Sequence, residues 1–350
     1  MANSIQLLNK GIGSQHPCFI IAEAGVNHNG CLDLAKQLID VAAAAGADAV
    51  KFQTFHAENV VSSTAEKAEY QKSTTSSTES QYDMLKNLEL SDDAFRELSE
   101  YADSKGIIFL STPFDEQSVD LLDQIGVPAF KIPSGEITNF PLLKKIAEKK
   151  KPIILSTGMA TLGDVEDAVN FVRAHGAEEI ILLHCTTNYP APMHSVNLRA
   201  MEALRCALQL PVGYSDHTEG ITISIAAVAM GADLIEKHFT LDRSLRGPDH
   251  QASLEPQELQ AMVTGIRNVE QALGSGVKSP SIVEKGLIEV IRRSIVAQRN
   301  IKAGEILKDN DLTIKRPGTG IEPKYIDLVT GKRVRVDIKK NDVIMWKMLE

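Results

Sequence analysis

The sequence predicts an α/β fold, a (β/α)8 TIM barrel followed by a small, mainly β unit, and three features lead there. Short apolar runs alternate with helical periodicity eight times, and eight strand–helix units in about 270 residues is the arithmetic of that barrel. Each run ends in polar or ionisable side chains, as barrel strands do at their carboxyl ends. Beyond a Gly/Ser/Pro connector at 274–280 the pattern changes to short strand-like pieces divided by turns. An open doubly wound sheet is the competing fold. No Gly-rich nucleotide fingerprint follows the first strand, however, and no half-repeat is visible.

The first strand, Phe19 to Ile21, runs into Ala22-Glu23-Ala24-Gly25-Val26-Asn27-His28-Asn29-Gly30, and helical periodicity follows from Leu32 to Ala45 until Gly46 stops it. The second strand, Ala49 to Gln53, puts Lys51 and Gln53 on one face. Thr54 to Leu90 is a long polar excursion, rich in Ser and Thr at 73–80 and weakly periodic, so a substrate loop and a surface insert describe it equally well. A capped amphipathic helix from Ser91 to Lys105 leads to strand Ile107 to Leu110 and then Ser111-Thr112-Pro113-Phe114-Asp115. The rhythm repeats. Helices at Glu116 to Ile125, Phe140 to Lys149, Leu162 to His175 and Val196 to Leu208 alternate with strands at Ala129 to Ile132, Pro152 to Leu155 and Ile180 to Leu183. Those three strands open into Pro133-Ser134-Gly135-Glu136, Ser156-Thr157-Gly158-Met159 and His184-Cys185-Thr186-Thr187-Asn188-Tyr189-Pro190.

The seventh strand, Leu210 to Val212, opens into Gly213-Tyr214-Ser215-Asp216-His217-Thr218; a helix from Ile221 to Gly231 then returns the chain to the eighth, Ala232 to Ile235, with Glu236-Lys237-His238-Phe239 beyond it. Helix Pro256 to Leu273 ends the barrel. The expected division is a barrel over 1–278, a linker over 279–292 and a small domain over 293–350. Within the last, strands are expected at Ser294 to Gln298, Leu312 to Lys315, Arg333 to Val336 and Val343 to Trp346, after a helical stretch from Ile282 to Ile291.

At 350 residues and 43% hydrophobic content, the chain can bury a sizeable core without disulfides or structural metals. Its formal charge of −9 disfavours nucleic acid or an anionic membrane as the main partner, because both call for a basic face. Cys18, Cys31, Cys185 and Cys206 show no CxxC spacing, which reads as reduced thiols in a cytoplasmic protein. Neither a signal-peptide pattern nor an apolar span of about 18 residues is present, so a soluble chain is expected.

Strand, helix, strand around residues 210–238 makes two parallel neighbours, so His217 and His238 would emerge at one carboxyl end and could share a metal. The plain alternative is that each caps a strand end. A metal held by two neutral imidazoles keeps open positions and acts as a Lewis acid. Lys51, Lys131 and Lys237 around the same mouth would attract a phosphate or carboxylate ligand, with Thr112, Ser134, Ser156, Ser215 and the Asn188 amide as further donors. A desolvated barrel lysine acting as a Schiff-base nucleophile is the rival chemistry. Glu23 and Asp249 are candidates for acid/base work or hydroxyl contacts, His28, His184 and His250 are not expected to be ligands, and the basic run from Lys332 to Lys340 reads as a solvated face.

Taken in order, these motifs resemble the N-acetylneuraminate (sialic acid) synthase family over nearly the whole chain, through Val50-Lys51-Phe52-Gln53-Thr54, Lys131-Ile132-Pro133-Ser134-Gly135-Glu136, Ser215-Asp216-His217-Thr218, Glu236-Lys237-His238-Phe239 and Gly247-Pro248-Asp249-His250 among others. The tail, with Lys315-Arg316-Pro317-Gly318, resembles the antifreeze-like (SAF) domain of those enzymes. This likeness implies condensation of phosphoenolpyruvate with open-chain N-acetylmannosamine to N-acetylneuraminate and phosphate. It also implies that His217 and His238 hold Mn2+ (or Mg2+ or Co2+), and that Lys51, Lys131, Thr112, Ser134, Ser156, Asn188 and Ser215 hold phosphoenolpyruvate. Glu23, Gln53, Tyr189 and Asp249 would meet the sugar, and Arg316 would reach the N-acetyl group across a domain-swapped homodimer. Close relatives make legionaminic or pseudaminic acid from 2,4-diacetamido-2,4,6-trideoxy sugars. A catalytically silent sugar-binding protein is the alternative from a different class.

Overall fold

The computed structural model of the protein describes residues 4–62, 65–67, 69–75 and 79–350. The chain forms two compact units, Met1–Gly274 and Ser275–Glu350. An antiparallel hairpin, β1 (Ile5–Leu7) and β2 (Lys10–Ile12), opens the first unit. Eight parallel strands follow: β3 (Phe19–Gly25), β4 (Ala49–Thr54), β5 (Ile108–Pro113), β6 (Phe130–Ile132), β7 (Ile153–Ser156), β8 (Ile180–Cys185), β9 (Val212–Asp216) and β10 (Leu234–His238). Their hydrogen-bonded order is β5-β4-β3-β10-β9-β8-β7-β6, and β5 lies beside β6 without a ladder, so the sheet curls nearly into a closed barrel.

The helices of this unit are α1 (Leu32–Ala45), α2 (Ala57–Val60), α3 (Glu69–Thr74), α4 (Gln81–Leu88), α5 (Asp92–Ser104), α6 (Glu116–Ile125), α7 (Phe140–Ala147), α8 (Leu162–Ala174), α9 (Ala200–Leu208), α10 (Thr222–Ala229) and α11 (Pro256–Leu273). Their ends follow local chemistry. Ser91, Asp115, Asn139 and Thr161 cap α5 to α8 through side-chain oxygens, while Gly46 and Gly126 end α1 and α6 in the left-handed conformation.

Two cores share each barrel strand because side chains alternate between its faces. Ile20, Val50, Phe109, Phe130, Ile153, Ile180, Val212 and Ile235 pack outward with the helices. Phe19, Ile21, Ala49, Ile108, Leu110, Ala129, Ile154, Ile181, Leu183 and Leu234 pack inward and are joined by Ile5, Leu7 and Ile12 of the hairpin. Continued by twos along the strands, this inner series turns polar: Ile21 is followed by Glu23, Ala49 by Lys51 and Gln53, Leu110 by Thr112, Ala129 by Lys131, Ile154 by Ser156 and Leu234 by Glu236 and His238. The apolar half closes one end of the barrel; the polar half forms the mouth.

The eight barrel strands and their principal helices occur in the expected order, with β9 and β10 starting two residues later than expected and running on to Asp216 and His238. Three departures occur. The hairpin at residues 5–12 and helices α2 to α4 inside the 54–90 excursion were not expected. In the second unit, α12 (Ile282–Ile291), β11 (Ser294–Ala297), β12 (Leu312–Lys315) and α13 (Ile326–Val329) surround a core that includes Ile295, Ala297, Leu312, Val329, Val334, Ile338 and Ile344. Only β11 and β12 form a ladder; the stretches expected as strands around Arg333 and Val343 make isolated bridges, Ile306 to Arg333, Val334 to Leu349 and Val296 to Val343. Single bridges between turns satisfy the backbone there without extended pairing. No helix of the described residues is long and apolar enough to cross a membrane.

Candidate active site

A cavity of about 290 Å³ occupies the polar mouth of the barrel. Of the residues singled out in the sequence, Glu23, Lys51, Gln53, Thr112, Lys131, Ser134, Ser156, Tyr189, Ser215, His217, His238 and Asp249 line it. Register explains the convergence: His238 stands opposite Glu23, Glu23 opposite Lys51, Gln53 opposite Thr112 and Glu236 opposite Ser215. Gly25, with φ +54°, follows Glu23 at a shift in strand register, and a Cβ there would come within 3.3 Å of Glu23 Oε1 and 3.5 Å of the His238 ring. Glycine suits both the dihedral and the crowding.

The rings of His217 and His238 are 5.6 Å apart at 53°, and Tyr189 packs on both, 4.2 Å from His217 and edge-on to His238 at 5.7 Å. His217 Nδ1 lies 2.8 Å from the carbonyl of Thr186; as the protonated nitrogen it donates there and leaves Nε2 unprotonated, 3.4 Å from Ser215 Oγ. Burial lowers the pKa of His217 to about 4, and burial together with His217 drives that of His238 well below the ordinary imidazole value. His238 Nδ1 is buried without a hydrogen-bond partner among the described residues, and the nearest carboxylate oxygen, Asp249 Oδ2, is 3.9 Å away. Two neutral imidazoles, one with an orphaned nitrogen, fit a divalent cation. No group of three or more His, Cys, Asp or Glu is gathered for a metal among the described residues.

Four buried ionisable side chains run across the floor. Lys51 Nζ is 2.7 Å from Glu23 Oε2 and 3.7 Å from Glu236 Oε2, while Lys131 Nζ is 3.3 Å from Glu236 Oε1. Thr112 Oγ1 accepts from Lys51 at 2.9 Å, and Gln53 donates to Glu23 at 3.2 Å. Burial raises the pKa of Glu23 and outweighs the opposing pull of Lys51. Burial acts the same way on Glu236, but Lys131 and Lys51 together overcome it and hold that carboxyl ionised. Burial lowers Lys131; on Lys51 it is outweighed by Glu23 and Glu236, and that ammonium is held charged. Burial raises Asp249, beside His238, to about 6.

A hydroxyl cradle completes the polar arc. Gly158 N–H donates to Ser134 Oγ at 2.9 Å, and Ser134 Oγ lies 3.1 Å from Cys185 Sγ. A Cβ on Gly158 would overlap Thr187 Oγ1 and fall 2.8 Å from Ser134 Oγ, so only glycine leaves the cradle open.

Two sequence expectations need correction. Lys237 does not join the mouth: it lies on the outward face of β10, where it pairs with Asp216 at 3.1 Å and donates to the Thr218 carbonyl. Strand alternation sends its neighbour Glu236 inward instead, and counting by twos from His238 would have found it. Asn188 is exposed, is absent from the cavity lining, and accepts a hydrogen bond from the Tyr189 backbone. Arg316, expected to act across a homodimer, is exposed in the second unit, and its Nε donates to the Ile291 carbonyl at 2.9 Å. His28, His184 and His250 lie outside the cavity lining.

A near-closed parallel barrel with buried acids, lysines and paired imidazoles at its carboxyl mouth defines a (β/α)8 enzyme. The chain matches the NeuB family over residues 38–278 and the SAF domain over residues 292–350. It therefore belongs to the NeuB family and is a nonulosonic acid synthase carrying a SAF domain. It is 55% identical to the N,N'-diacetyllegionaminic acid synthase of Campylobacter jejuni over 93% of this chain and 98% of that one. It is 51% identical to the enzyme of the same name from Legionella pneumophila, over 97% and 96% of the two chains. Among solved structures, the N-acetylneuraminic acid synthetase of Leptospira borgpetersenii in complex with citrate superposes with a TM-score of 0.73 at 39% identity, covering 83% of this chain and 96% of the other.

Proposed function

We propose that the protein condenses phosphoenolpyruvate with open-chain 2,4-diacetamido-2,4,6-trideoxymannose to give N,N'-diacetyllegionaminic acid and phosphate. The motifs alone put N-acetylneuraminate first; the two relatives above 50% identity favour the diacetylated product. The observation that carries the chemistry is the single cavity in which His217 and His238 face Lys51, Lys131, Glu23 and Glu236. A divalent ion held by the two imidazoles would supply Lewis-acid polarisation of the sugar aldehyde.

The chain's own groups do the rest. Lys51 and Lys131 bind the anionic enol phosphate, with hydroxyls of Thr112, Ser134, Ser156 and Ser215 as further donors. Carbon C3 of the enol attacks the sugar aldehyde, and Glu23, kept protonated toward neutral pH by burial, gives its proton to the new alkoxide. Positive charge then develops at C2. Glu236, held ionised, faces that charge, and Glu23, left as a carboxylate, takes a proton from the water that adds there and so regains its starting state. The hemiketal phosphate next expels phosphate by C–O cleavage, its hydroxyl proton leaving with the phosphate. Gln53, Tyr189 and Asp249 hold the sugar.

The homodimer implied by the resemblance, with Arg316 serving the sugar, belongs to the same proposal. Arg316→Ala is then expected to raise the KM for sugar and leave that for phosphoenolpyruvate unchanged. The decisive experiment measures phosphate release from phosphoenolpyruvate with 2,4-diacetamido-2,4,6-trideoxymannose, with and without Mn2+. No release with that sugar under either condition rejects the proposal.

A further inference from the structure

Opposite the polar arc, the cavity has an apolar wall that the condensation chemistry does not use. Phe55, Met84 and Leu88 are buried and Val60, Leu85 and Phe114 half-buried, all in one cluster that lines the cavity. The excursion between β4 and β5 supplies all but Phe114, which follows β5, and the rings of Phe55 and Phe114 meet edge to face at 6.3 Å.

The wall is built rather than incidental. A reciprocal cap between Ser80 and Asp83 starts α4, and Glu89 just past its end accepts from Ala57 N–H at 3.0 Å. Lys86, on the solvent side, binds Glu89 at 2.9 Å and Glu58 at 3.3 Å. These ties hold α4 against α2 with Met84, Leu85 and Leu88 turned to the cavity. Among the described residues, the excursion's polar side chains at the cavity are the amides of Gln71 and Gln81, which match an acetamido group.

Resting on the reading above, we infer that this wall sets sugar specificity: it receives the C6 methyl and the C4 acetamido methyl of a 4-acetamido-6-deoxy sugar. The polar arc is occupied by the enol phosphate and the aldehyde end, so the far end of the sugar lies against apolar side chains. A methyl group there gains by leaving water, whereas the C4 and C6 hydroxyls of N-acetylmannosamine lose water and find no partner on Phe55, Val60, Met84 or Leu85. A difference of one or two such groups is worth roughly 10- to 200-fold in kcat/KM.

The test compares kcat/KM for 2,4-diacetamido-2,4,6-trideoxymannose and for N-acetylmannosamine in the full-length protein, and in its Leu85→Gln and Val60→Thr variants. The expected result is a wild-type preference of at least about tenfold for the deoxy sugar. Leu85→Gln and the isosteric Val60→Thr should each reduce it about tenfold, with the KM for phosphoenolpyruvate and the thermal midpoint little changed, while Leu85→Met keeps it. A wild-type enzyme that prefers N-acetylmannosamine overturns the inference, and so does a ratio constant within about twofold across folded variants. If one of the two polar variants does not fold, the other decides. Release of phosphate with neither sugar is a different outcome: it removes the proposed function itself.

Discussion

Lys51 Nζ stands 2.7 Å from Glu23 Oε2, with both side chains buried in the barrel. Parallel pairing makes the contact, since Glu23 on β3 is the register partner of Lys51 on β4 and both point inward. Glu23 and Glu236 together hold the buried Lys51 ammonium charged, while burial raises Glu23 itself.

Removing the cation should therefore cost stability, whereas removing the Glu23 acid leaves Lys51 facing Glu236. Lys51→Ala leaves Glu23 and Glu236 facing each other without that cation, and we expect a loss of roughly 3–5 kcal/mol in urea unfolding. Glu23→Gln keeps the shape and loses only the acid. Its expected signature is a near-native unfolding midpoint with kcat down about 100- to 10,000-fold; wild-type turnover by this variant at every pH would refute the proton-donor role.

Gly158→Ala probes the hydroxyl cradle. The added methyl would overlap Thr187 Oγ1 and crowd Ser134 and Cys185. The cradle would have to open, at a cost of about 1–3 kcal/mol in stability. The KM for phosphoenolpyruvate should rise at least about tenfold, because hydroxyls displaced by an ångström no longer meet the same oxygens. An unchanged KM would place the enol phosphate elsewhere.

Most of the barrel was legible because two periods, 2.0 and 3.6, carry it, and the Gly stops at Gly46, Gly106 and Gly126 punctuate it. The site was legible where residues sit on strands and less so in loops. Asn188 follows β8 by three residues, where no periodicity fixes a side chain's direction, and it turned outward. Lys237 was misplaced for a different reason: its charge was weighed without its parity, although His238 facing the mouth fixes Glu236 inward and Lys237 outward. Helix α4 had a usable signal in Ser80 with Asp83 three residues later, but it lay at the end of a Ser/Thr-rich stretch that masks amphipathicity. The hairpin at residues 5–12 has strands of three residues each, too short for alternation to register.

Dependence on a divalent ion is the third expectation. Treatment with a chelator should abolish phosphate release, and added Mn2+ should restore it. Calorimetric titration of Mn2+ gives a readout independent of turnover: His217→Ala or His238→Ala should weaken binding at least about tenfold, since each removes one of the two imidazoles. Full activity in metal-free protein would defeat the reading, and borohydride trapping of a pyruvate adduct would point to a lysine Schiff base instead.

The last expectation concerns acid stability. His28, outside the cavity, is buried, its Nδ1 accepts from Gly30 N–H at 3.1 Å, and its pKa is lowered to about 4, first by burial and then by His250. Between pH 6.5 and 4 the unfolded chain binds a proton at this position that the folded chain does not, so stability falls as pH falls. The contribution is fully present above the unfolded value of about 6.5 and amounts to about 2 kcal/mol lost by pH 5. His217 and His238 shift the same way, so the wild-type slope is a sum. His28→Gln isolates one part of it: its urea midpoint should change less between pH 7 and pH 5 than that of the wild type, whatever the variant's stability at pH 7. Equal pH dependence in the two proteins would mean that the buried imidazole is protonated as readily in the fold as out of it.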